Sequence, residues 1–508
     1  MSSTSPIDPP PASPQRPFWL SALVRLAFVL AVLVTLLAAW IVEENIRGSL
    51  TWGVYRHEAE TRGVKLQLAD YIPPTVPDER NFAAIPIFQD AFKDPTPPDP
   101  FLLPTKPGIK APSLTESHAG EQQPVDLATW QKYLVEIQML PRAGDSAAQD
   151  ILLALERYAP QFEQLRLAGQ RPECRFPVRY ELAAKAPLPH LSILMSASKL
   201  YALQLAAHLA LGQNEAADED FAGALRLHQA TIHEPTLIAG LVRLAELSTL
   251  YKAVWSGLAR HQWSAANLEK IEAALSQVRL FDEYQLSYES ERGFVNDMFE
   301  NYSHMGMREK RDIAHLLRNA GMATESEPWM DWGFILGPRG WLRFTQIREN
   351  RYLDAILSAG TQNPPRIDPD RFVVDLSSEK EKAGLLGRLQ YHSLFDSMAV
   401  MENVARNFAF GQTLLDQTRL GCAIERYRLA HQKLPESLDA LAPDFIPAIP
   451  QDVMTGDPLH YRLDSNGSYT IYSVGWDRKD DGGKKDPAKP ASSLQPDWVW
   501  TVPLGARL

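Results

Sequence analysis

An apolar stretch near the N-terminus constrains this chain more than any other part of it. Residues 26–42 contain no charged side chain, and residues 18–24 before them are almost as apolar. A helix rises about 1.5 Å per residue and a bilayer core is about 30 Å thick, so about 20 apolar residues are needed to cross it. Arg25 lies near one end of the stretch, where its long side chain can reach the lipid headgroups. Residues 18–42 are therefore predicted to form a transmembrane helix that tethers the chain to a membrane.

The charges on either side of this helix predict its orientation. Arg16 and Arg25 are on the N-terminal side, whereas Glu43 and Glu44 follow the helix. Positively charged flanks remain in the cytoplasm. We therefore expect residues 1–17, which are rich in proline and serine, to form a disordered cytoplasmic tail, and the bulk of the chain to lie across the membrane.

Two other interpretations of the apolar stretch remain open. Ala38 and Ala39 are small residues before a polar run, as at the cleavage site of a signal peptide, although the apolar core here is longer than is usual for one. The stretch could also be the core helix of a soluble protein. In that case other segments must cover it on every side, which the short tail before it cannot do.

Composition excludes one class of partner. The chain has 508 residues, enough for two or three domains, and a net charge of −11. The first 42 residues contribute +1, from Arg16 and Arg25 against Asp8, so the remainder carries −12. A nucleic-acid partner requires a basic surface, so none is expected. The two cysteines, Cys174 and Cys422, are interpreted as buried free thiols, although an oxidising compartment would permit them to pair.

Residues 43–124 are predicted to contain two different structures. Residues 46–68 have helical spacing and are expected to form a juxtamembrane helix that ends near Gly63. Residues 73–112 contain eleven of the chain's 39 prolines. Because proline fixes φ and lacks an N–H donor, this segment is predicted to be extended and without helix. Its first part should pack apolar residues along a neighbouring domain, and residues 93–123 are interpreted as a mobile loop, a linker more than a lid.

Residues 125–395 are predicted to form an α-helical domain. Residues 190–211 are apolar around most of the helix circumference, which is typical of a central helix covered by its neighbours. Residues 215–228 are amphipathic, and residues 237–258 repeat apolar side chains at spacings of three, four and seven. No regular repeat period is present, so we expect an irregular α-helical array or bundle and a fold that is mainly α.

Sequence motifs for catalysis are scarce. The GxSxG, Walker and GxGxxG motifs do not occur. Trp329, Trp332 and Trp341 surround a break in the helical pattern and could line a groove, although core packing at a helical bend is the alternative interpretation. A hydrolytic site in the helical domain at this break is therefore kept as one hypothesis.

The last hundred residues change character. Residues 401–432 have the pattern of one long helix, and residues 459–464 and 468–474 alternate apolar and polar side chains about an Asn-Gly turn, which is a strong hairpin signal. A lone hairpin is marginally stable in water, so its apolar face is expected to pack on the long helix. Residues 396–492 are predicted to form a small α+β module, and residues 493–508 a C-terminal tail.

An acidic loop follows the second strand of the hairpin. Asp477, Asp480 and Asp481 lie close together, and glycines on both sides allow the backbone to fold around them. Because Ca²⁺ takes about six to eight oxygen ligands, these carboxylates and the backbone carbonyl of Val474 are candidate calcium ligands. The spacing is not that of an EF-hand. A solvated acidic loop, balanced by neighbouring lysine and arginine side chains, is the alternative.

The order of these parts resembles a known family. The LP pair that ends the long helix, GDPLHY at residues 456–461 and YSVG at residues 472–475 resemble the globular domain of the major pseudopilin of type II secretion, in which an acidic calcium loop follows a hairpin. The resemblance covers about 90 residues of the sequence. It implies a structural calcium ion held by Asp477 and by Asp480 or Asp481.

The whole chain is similar to single-pass bacterial envelope proteins with the same arrangement of parts. This similarity implies an inner-membrane protein with a cytoplasmic N-terminus and its bulk in the periplasm. We therefore expect a membrane-anchored scaffold that presents a calcium-stabilised, pseudopilin-like module to protein partners. A component of a secretion or pilus-like apparatus is the first alternative, and an envelope hydrolase is the second.

Overall fold

A single uninterrupted helix, α1 (Phe18–Thr61), contains both the predicted span and the predicted juxtamembrane helix. The structure is a computed structural model and describes residues 18–94, 97–114, 123–312, 337–372, 392–465, 467–486, 488–489 and 492–503. The N-terminal part of α1 is long and apolar enough to cross a membrane, and the side chains of that part are exposed. The soluble-core interpretation is therefore wrong, because a core helix would be covered. A signal sequence passes the same test of length and composition.

The second half of α1 packs against helix α11 (Arg339–Ala359). Trp52, Tyr55 and Ala59 are buried in this contact and form a small apolar cluster with Ile347. The helix that carries the candidate membrane span is thus part of the folded body.

Two glycines bring the backbones of α1 and α11 together. A Cβ atom at Gly340 would lie 2.0 Å from the carbonyl oxygen of Glu44, and a Cβ at Gly48 would lie 2.5 Å from Cα of Gly340. Only glycine fits at so close an approach. The Gly340 N–H also donates a hydrogen bond to Oδ1 of Asn45 at 2.9 Å.

The first part of the proline-rich segment lies along the body as predicted. The prediction of a mobile loop after residue 93 was wrong at Phe101, which is buried in the main core. The prediction that the segment contains no helix was wrong for one stretch. Helix α2 (Pro86–Ala91) begins at a proline. Proline is tolerated there because the first N–H of a helix has no intrahelical acceptor. Phe82 and Phe88 on either side of its start are fully buried in the main core.

The helical body contains the expected central helix. Its helices, in chain order, are α3 (Leu127–Glu136), α4 (Ala147–Leu155), α5 (Ala159–Ala168), α6 (Pro189–Ala210), α7 (Asn214–Ala230), α8 (Leu237–Ala259), α9 (Ala265–Leu275) and α10 (Leu280–His304). Helices α4, α7 and α8 pack on α6, whose apolar side chains are buried around the helix. The mainly α fold class is therefore confirmed.

Polar side chains fix where several of these helices begin. Asp126, Ser146, Thr236 and Ser264 are the N-cap residues of α3, α4, α8 and α9, and each side chain accepts a hydrogen bond from a backbone N–H of the first turn. Such caps satisfy donors that the helix itself leaves unpaired.

A short hairpin and a second long helix follow α11. Strands β1 (Gly360–Gln362) and β2 (Pro365–Ile367) pair antiparallel. Helix α12 (His392–His431) then packs against α8, α9 and α10. The predicted module boundary at residue 396 falls inside α12, and one continuous apolar core includes residues of the proline-rich segment, the helical body and the C-terminal sheet.

The C-terminal sheet has three antiparallel strands in the order β3 (His460–Leu463), β4 (Tyr469–Ser473), β5 (Trp498–Val502). Strands β3 and β4 are the predicted hairpin, with His460 opposite Tyr472; Asn466 of its turn lies outside the described residues.

Strand β5 corrects the prediction that residues 493–508 form a tail. Its side chains alternate between buried and half-buried, and Trp498 pairs with Ser473 of the central strand. The sheet packs on α12, as predicted for the hairpin. The Gln417 amide nitrogen donates to the carbonyl oxygen of Trp498 at 2.7 Å, and a Cβ at Gly421 would lie 2.3 Å from the Trp500 ring.

Candidate binding site

Two of the predicted calcium ligands, Asp477 and Asp480, accept hydrogen bonds within their own loop. Oδ1 of Asp477 accepts a hydrogen bond from the Lys479 N–H at 3.1 Å, and Oδ1 of Asp480 accepts one from the Gly482 N–H at 2.8 Å. The Asp481 N–H donates to Oδ1 of Asp497 at 3.4 Å. These contacts shape tight turns, as aspartate commonly does.

Two buried aspartates that sequence reasoning missed organise this loop. Oδ2 of Asp452 accepts a hydrogen bond from the backbone N–H of Val474 at 3.2 Å. Oδ2 of Asp497 accepts one from the Gly483 N–H at 2.8 Å. Burial raises the pKa of both carboxyl groups above the ordinary aspartate value. Each lies beside a strand or turn, but nothing in the local sequence distinguishes it from a surface aspartate.

The structure does not bring the predicted calcium ligands together. Within the described ranges, no group of three or more His, Cys, Asp or Glu side chains is placed to hold a metal ion. Calcium binding by Asp477, Asp480, Asp481 and the Val474 carbonyl therefore stays a prediction of the sequence. The prediction is tested by melting the full chain with calcium and with a chelator. Equal melting midpoints would contradict calcium binding.

Of the three tryptophans at the predicted break, the structure describes Trp341. Trp341 is buried, and its ring meets that of Trp40 edge to face at a centroid distance of 5.8 Å. Trp329 and Trp332 lie outside the described residues. Trp341 therefore supports the interpretation as core packing.

A pocket of about 290 Å³ lies between α8, α12 and the C-terminal segment. Its apolar walls are formed by Leu241, Leu244, Trp255, Phe410, Leu414 and Trp500. It lies where the helical body meets the C-terminal sheet, and such junctions are common positions for ligand pockets.

Helical periodicity places the pocket-lining side chains on one face of each helix. On α8, Leu241, Leu244, Ser248 and Trp255 follow one another at spacings of three, four and seven. On α12, Gly411 lets the helix approach α8 closely, since a Cβ there would lie 2.7 Å from Cδ2 of Leu244. The pocket is thus a gap between a face of α8 and a face of α12, and both faces have the apolar spacing that is typical of core-facing surfaces.

Lys252, Ser493 and Asn407 add a positive charge and polar groups to the apolar lining of this pocket. Lys252 is only 8% exposed, and its Nζ lies 4.7 Å from the centroid of the Trp255 ring. Oγ of Ser493 donates to Oδ1 of Asn407 at 2.7 Å, which closes one side. An apolar wall with a cation and a few polar groups suits a ligand that has an apolar body and an anionic group.

A separate network of charges is buried between α7, α8 and α10. Glu283 accepts a hydrogen bond from Nε of Arg243 at 2.7 Å and pairs with Nε2 of His228 at 3.0 Å. Burial alone would raise the pKa of Glu283, but His228 and Arg243 outweigh it and hold that pKa below the ordinary value.

Three further histidines pair with carboxylates on the helices and loops of the body. These pairs are His190 with Glu234 at 2.7 Å, His208 with Asp220 at 2.7 Å, and His261 with Glu425 at 2.9 Å. None of these side chains is among those that line the described pocket. The pairs therefore hold helices together and do not form a catalytic group with the pocket.

The two cysteines are free thiols, as expected. Cys422 is fully buried on α12, and Cys174 is half-buried. Burial raises the pKa of the Cys174 thiol to about 12, so it is protonated at neutral pH and unsuited to act as a nucleophile.

The ligand of the pocket between α8 and α12 is inferred from the chemistry of the residues that line it. Comparison of the chain with protein-family models, with curated proteins and with solved structures finds no match. The resemblance of the C-terminal part to the major pseudopilin therefore stays a prediction.

Proposed function

We propose that this protein is a single-pass, membrane-anchored binding protein that acts outside the cytoplasm as a scaffold. Its pocket between α8 and α12 binds a ligand with an apolar body and an anionic group. The observation that carries this proposal is the pocket itself, in which Leu244, Phe410 and Trp500 form an apolar wall beside Lys252.

The continuity of α1 supports anchoring. The same helix carries the apolar span and, through Trp52 and Tyr55, packs against α11. The body is therefore held at a fixed distance from the bilayer instead of hanging on a linker. The flanking charges and the resemblance to bacterial envelope proteins favour the periplasmic face of the inner membrane.

The pocket is tested with 4-phenylbutyrate, a water-soluble acid with an apolar ring, added to the full chain in lipid nanodiscs. Binding is followed by tryptophan fluorescence, since Trp255 and Trp500 line the pocket. We expect a saturable change that Ser248→Phe abolishes by filling the pocket. Ile238→Phe, an exposed position on the same helix, should keep it. A linear, non-saturable change that is the same in all three proteins would contradict the proposal.

The charge preference is tested separately. Lys252→Met should weaken the binding of 4-phenylbutyrate by about tenfold, because it removes a charge-assisted contact. The same variant should leave the binding of the neutral alcohol 4-phenylbutanol nearly unchanged. Equal losses for the acid and the alcohol would show that Lys252 only shapes the pocket.

The topology is tested by adding protease to intact spheroplasts. We expect the part of the chain after residue 61 to be digested from outside. If that part survives until the cells are lysed, the orientation is inverted and the extracytoplasmic role is wrong.

Membership of a secretion or pilus-like apparatus is a second candidate. It is favoured by the order of a long helix, α12, followed by the β3–β4 hairpin. Crosslinking in intact cells followed by purification should then recover secretion components with this chain; recovery of none would leave the scaffold proposal alone.

A further inference from the structure

A second concave surface lies where the juxtamembrane half of α1 meets α11. This groove has a volume of about 580 Å³ and shares no residue with the pocket between α8 and α12. Arg62, Arg351, Asp354 and Tyr55 are among the residues that line it. It lies on the two helices that fasten the body to the membrane helix, so a ligand there would contact both.

Polar atoms without partners are buried at this groove. Tyr55 is 4% exposed, and its hydroxyl has no hydrogen-bond partner in the described part of the chain. The charges of Asp354, Arg292, Arg62 and Arg351 act on this phenol, which places it among the charged groups of the groove. Arg292 is 2% exposed, and its Nε is also unpaired among the described residues. Buried donors of this kind are normally satisfied by a protein group, a water or a ligand.

The charges of the groove do not balance. Oδ1 of Asp354 accepts a hydrogen bond from Arg292 at 2.6 Å, and Oδ2 accepts one from Arg62 at 3.3 Å. Arg351, which is exposed, makes no hydrogen bond or ion pair with another described residue. The three guanidinium groups carry +3, whereas Asp354 and Glu58 carry −2, which leaves +1.

We propose that this groove binds a phosphate group, either as inorganic phosphate or as a phosphomonoester. Guanidinium groups present planar pairs of N–H donors that match phosphate oxygens, and a phenol adds a further donor. Arg351 and Arg62 supply the exposed guanidinium donors, and the Tyr55 hydroxyl gains the partner that it lacks in the free protein.

The height of the groove favours a soluble phosphate over a lipid headgroup. Tyr55 lies thirteen residues beyond Val42, the end of the apolar stretch, so the two are separated by about 20 Å along the helix. A tilt of about 40° would still leave about 15 Å. The headgroup layer on one side of a bilayer is only about 5 to 8 Å thick. A phospholipid phosphate in a flat bilayer therefore does not reach the groove.

The proposal is tested by titrating inorganic phosphate into the full chain in nanodiscs of zwitterionic lipid, with calorimetry and thermal melting as readouts. We expect saturable binding that raises the melting temperature. Arg351→Gln should weaken binding at least tenfold. The control Arg56→Gln removes an exposed arginine of α1 that does not line the groove, and it should bind as the wild type does.

A second variant separates binding from folding. Tyr55→Phe removes a hydroxyl without a partner, so without phosphate it should melt at or above the wild-type temperature, and it should bind phosphate several-fold more weakly.

Absence of binding to the wild type, or equal binding by Arg351→Gln and Arg56→Gln, would overturn the proposal. A rise in melting temperature produced by anionic lipid alone, with no response to phosphate, would assign the groove to a lipid headgroup and overturn the soluble source. Because the pocket is untouched by these variants, failure here leaves the proposed function standing.

Discussion

Glu246 is a buried carboxyl group on α8 whose pKa is raised far above that of an ordinary glutamate. It is 1% exposed, and neither of its carboxyl oxygens has a hydrogen-bond partner in the described part of the chain. Burial raises its pKa to about 8, with Arg243 opposing and Glu283 reinforcing the effect. Arg243 is already bonded to Glu283, so it cannot satisfy both carboxylates fully. Glu246 is therefore protonated at neutral pH.

This raised pKa predicts that stability falls as pH rises. The folded state keeps a proton on Glu246 that the unfolded state releases above its ordinary pKa of 4.5, so the free energy of unfolding decreases between about pH 4.5 and pH 8. Glu246→Gln does not titrate. We expect its stability relative to the wild type to increase by up to about 1.4 kcal/mol per pH unit across this window.

Denaturant melts of the full chain at pH 5 and at pH 8 measure this change. The exposed Glu156→Gln should show no such pH dependence relative to the wild type. A difference between Glu246→Gln and the wild type that is the same at both pH values would mean that Glu246 reaches water.

The partners of individual side chains could not be predicted, because they lie far away in the sequence. His228 pairs with Glu283, which is 55 residues further along the chain. Likewise, Asp452 and Asp497 hold the acidic loop, whereas the more conspicuous Asp477 and Asp480 bond within it. Composition shows which residues can bond, and only the fold selects the partner.

Among the elements, α1 and α11 form the contact that fixes the body to the helix with the candidate membrane span. Gly340→Ala should disrupt this contact, because the new Cβ would lie 2.0 Å from the Glu44 carbonyl oxygen and backbone atoms cannot yield. Overpacking of this kind typically costs about 1–3 kcal/mol. Circular dichroism melts of the chain in nanodiscs should therefore show a lower midpoint.

Helix α1 offers a control glycine. A Cβ at Gly53 would meet nothing within 4 Å. Gly53→Ala should therefore be neutral or stabilising by up to about 1 kcal/mol, since alanine favours a helix more than glycine does. Equal midpoints for Gly340→Ala and Gly53→Ala would show that α1 does not pack closely on α11.

Elements differed in how well their own sequence predicted them. Helix α6 was predictable because its apolarity on all sides requires cover, and the β3–β4 hairpin was predictable from alternation and its turn. Strand β5 was missed because five residues beyond a long loop give little signal until β4 is available to pair with them. The pocket was missed for a related reason, since its walls have the same periodicity as core faces.

At the scale of the whole molecule, the helical body and the C-terminal sheet share one core. Ile471 is fully buried at the centre of β4 and belongs to the same apolar cluster as Leu203 on α6. Such a core should unfold as one unit.

Ile471→Ala should destabilise the protein by about 2–5 kcal/mol, and it should lower the midpoint of the helix signal and of tryptophan fluorescence together. Leu463→Ala removes an exposed leucine from neighbouring β3 and should shift both midpoints little. If Ile471→Ala lowered the fluorescence midpoint and left the helix midpoint unchanged, the sheet would be a separate unit. The pocket at their junction would then be a hinge between two domains instead of a preformed site.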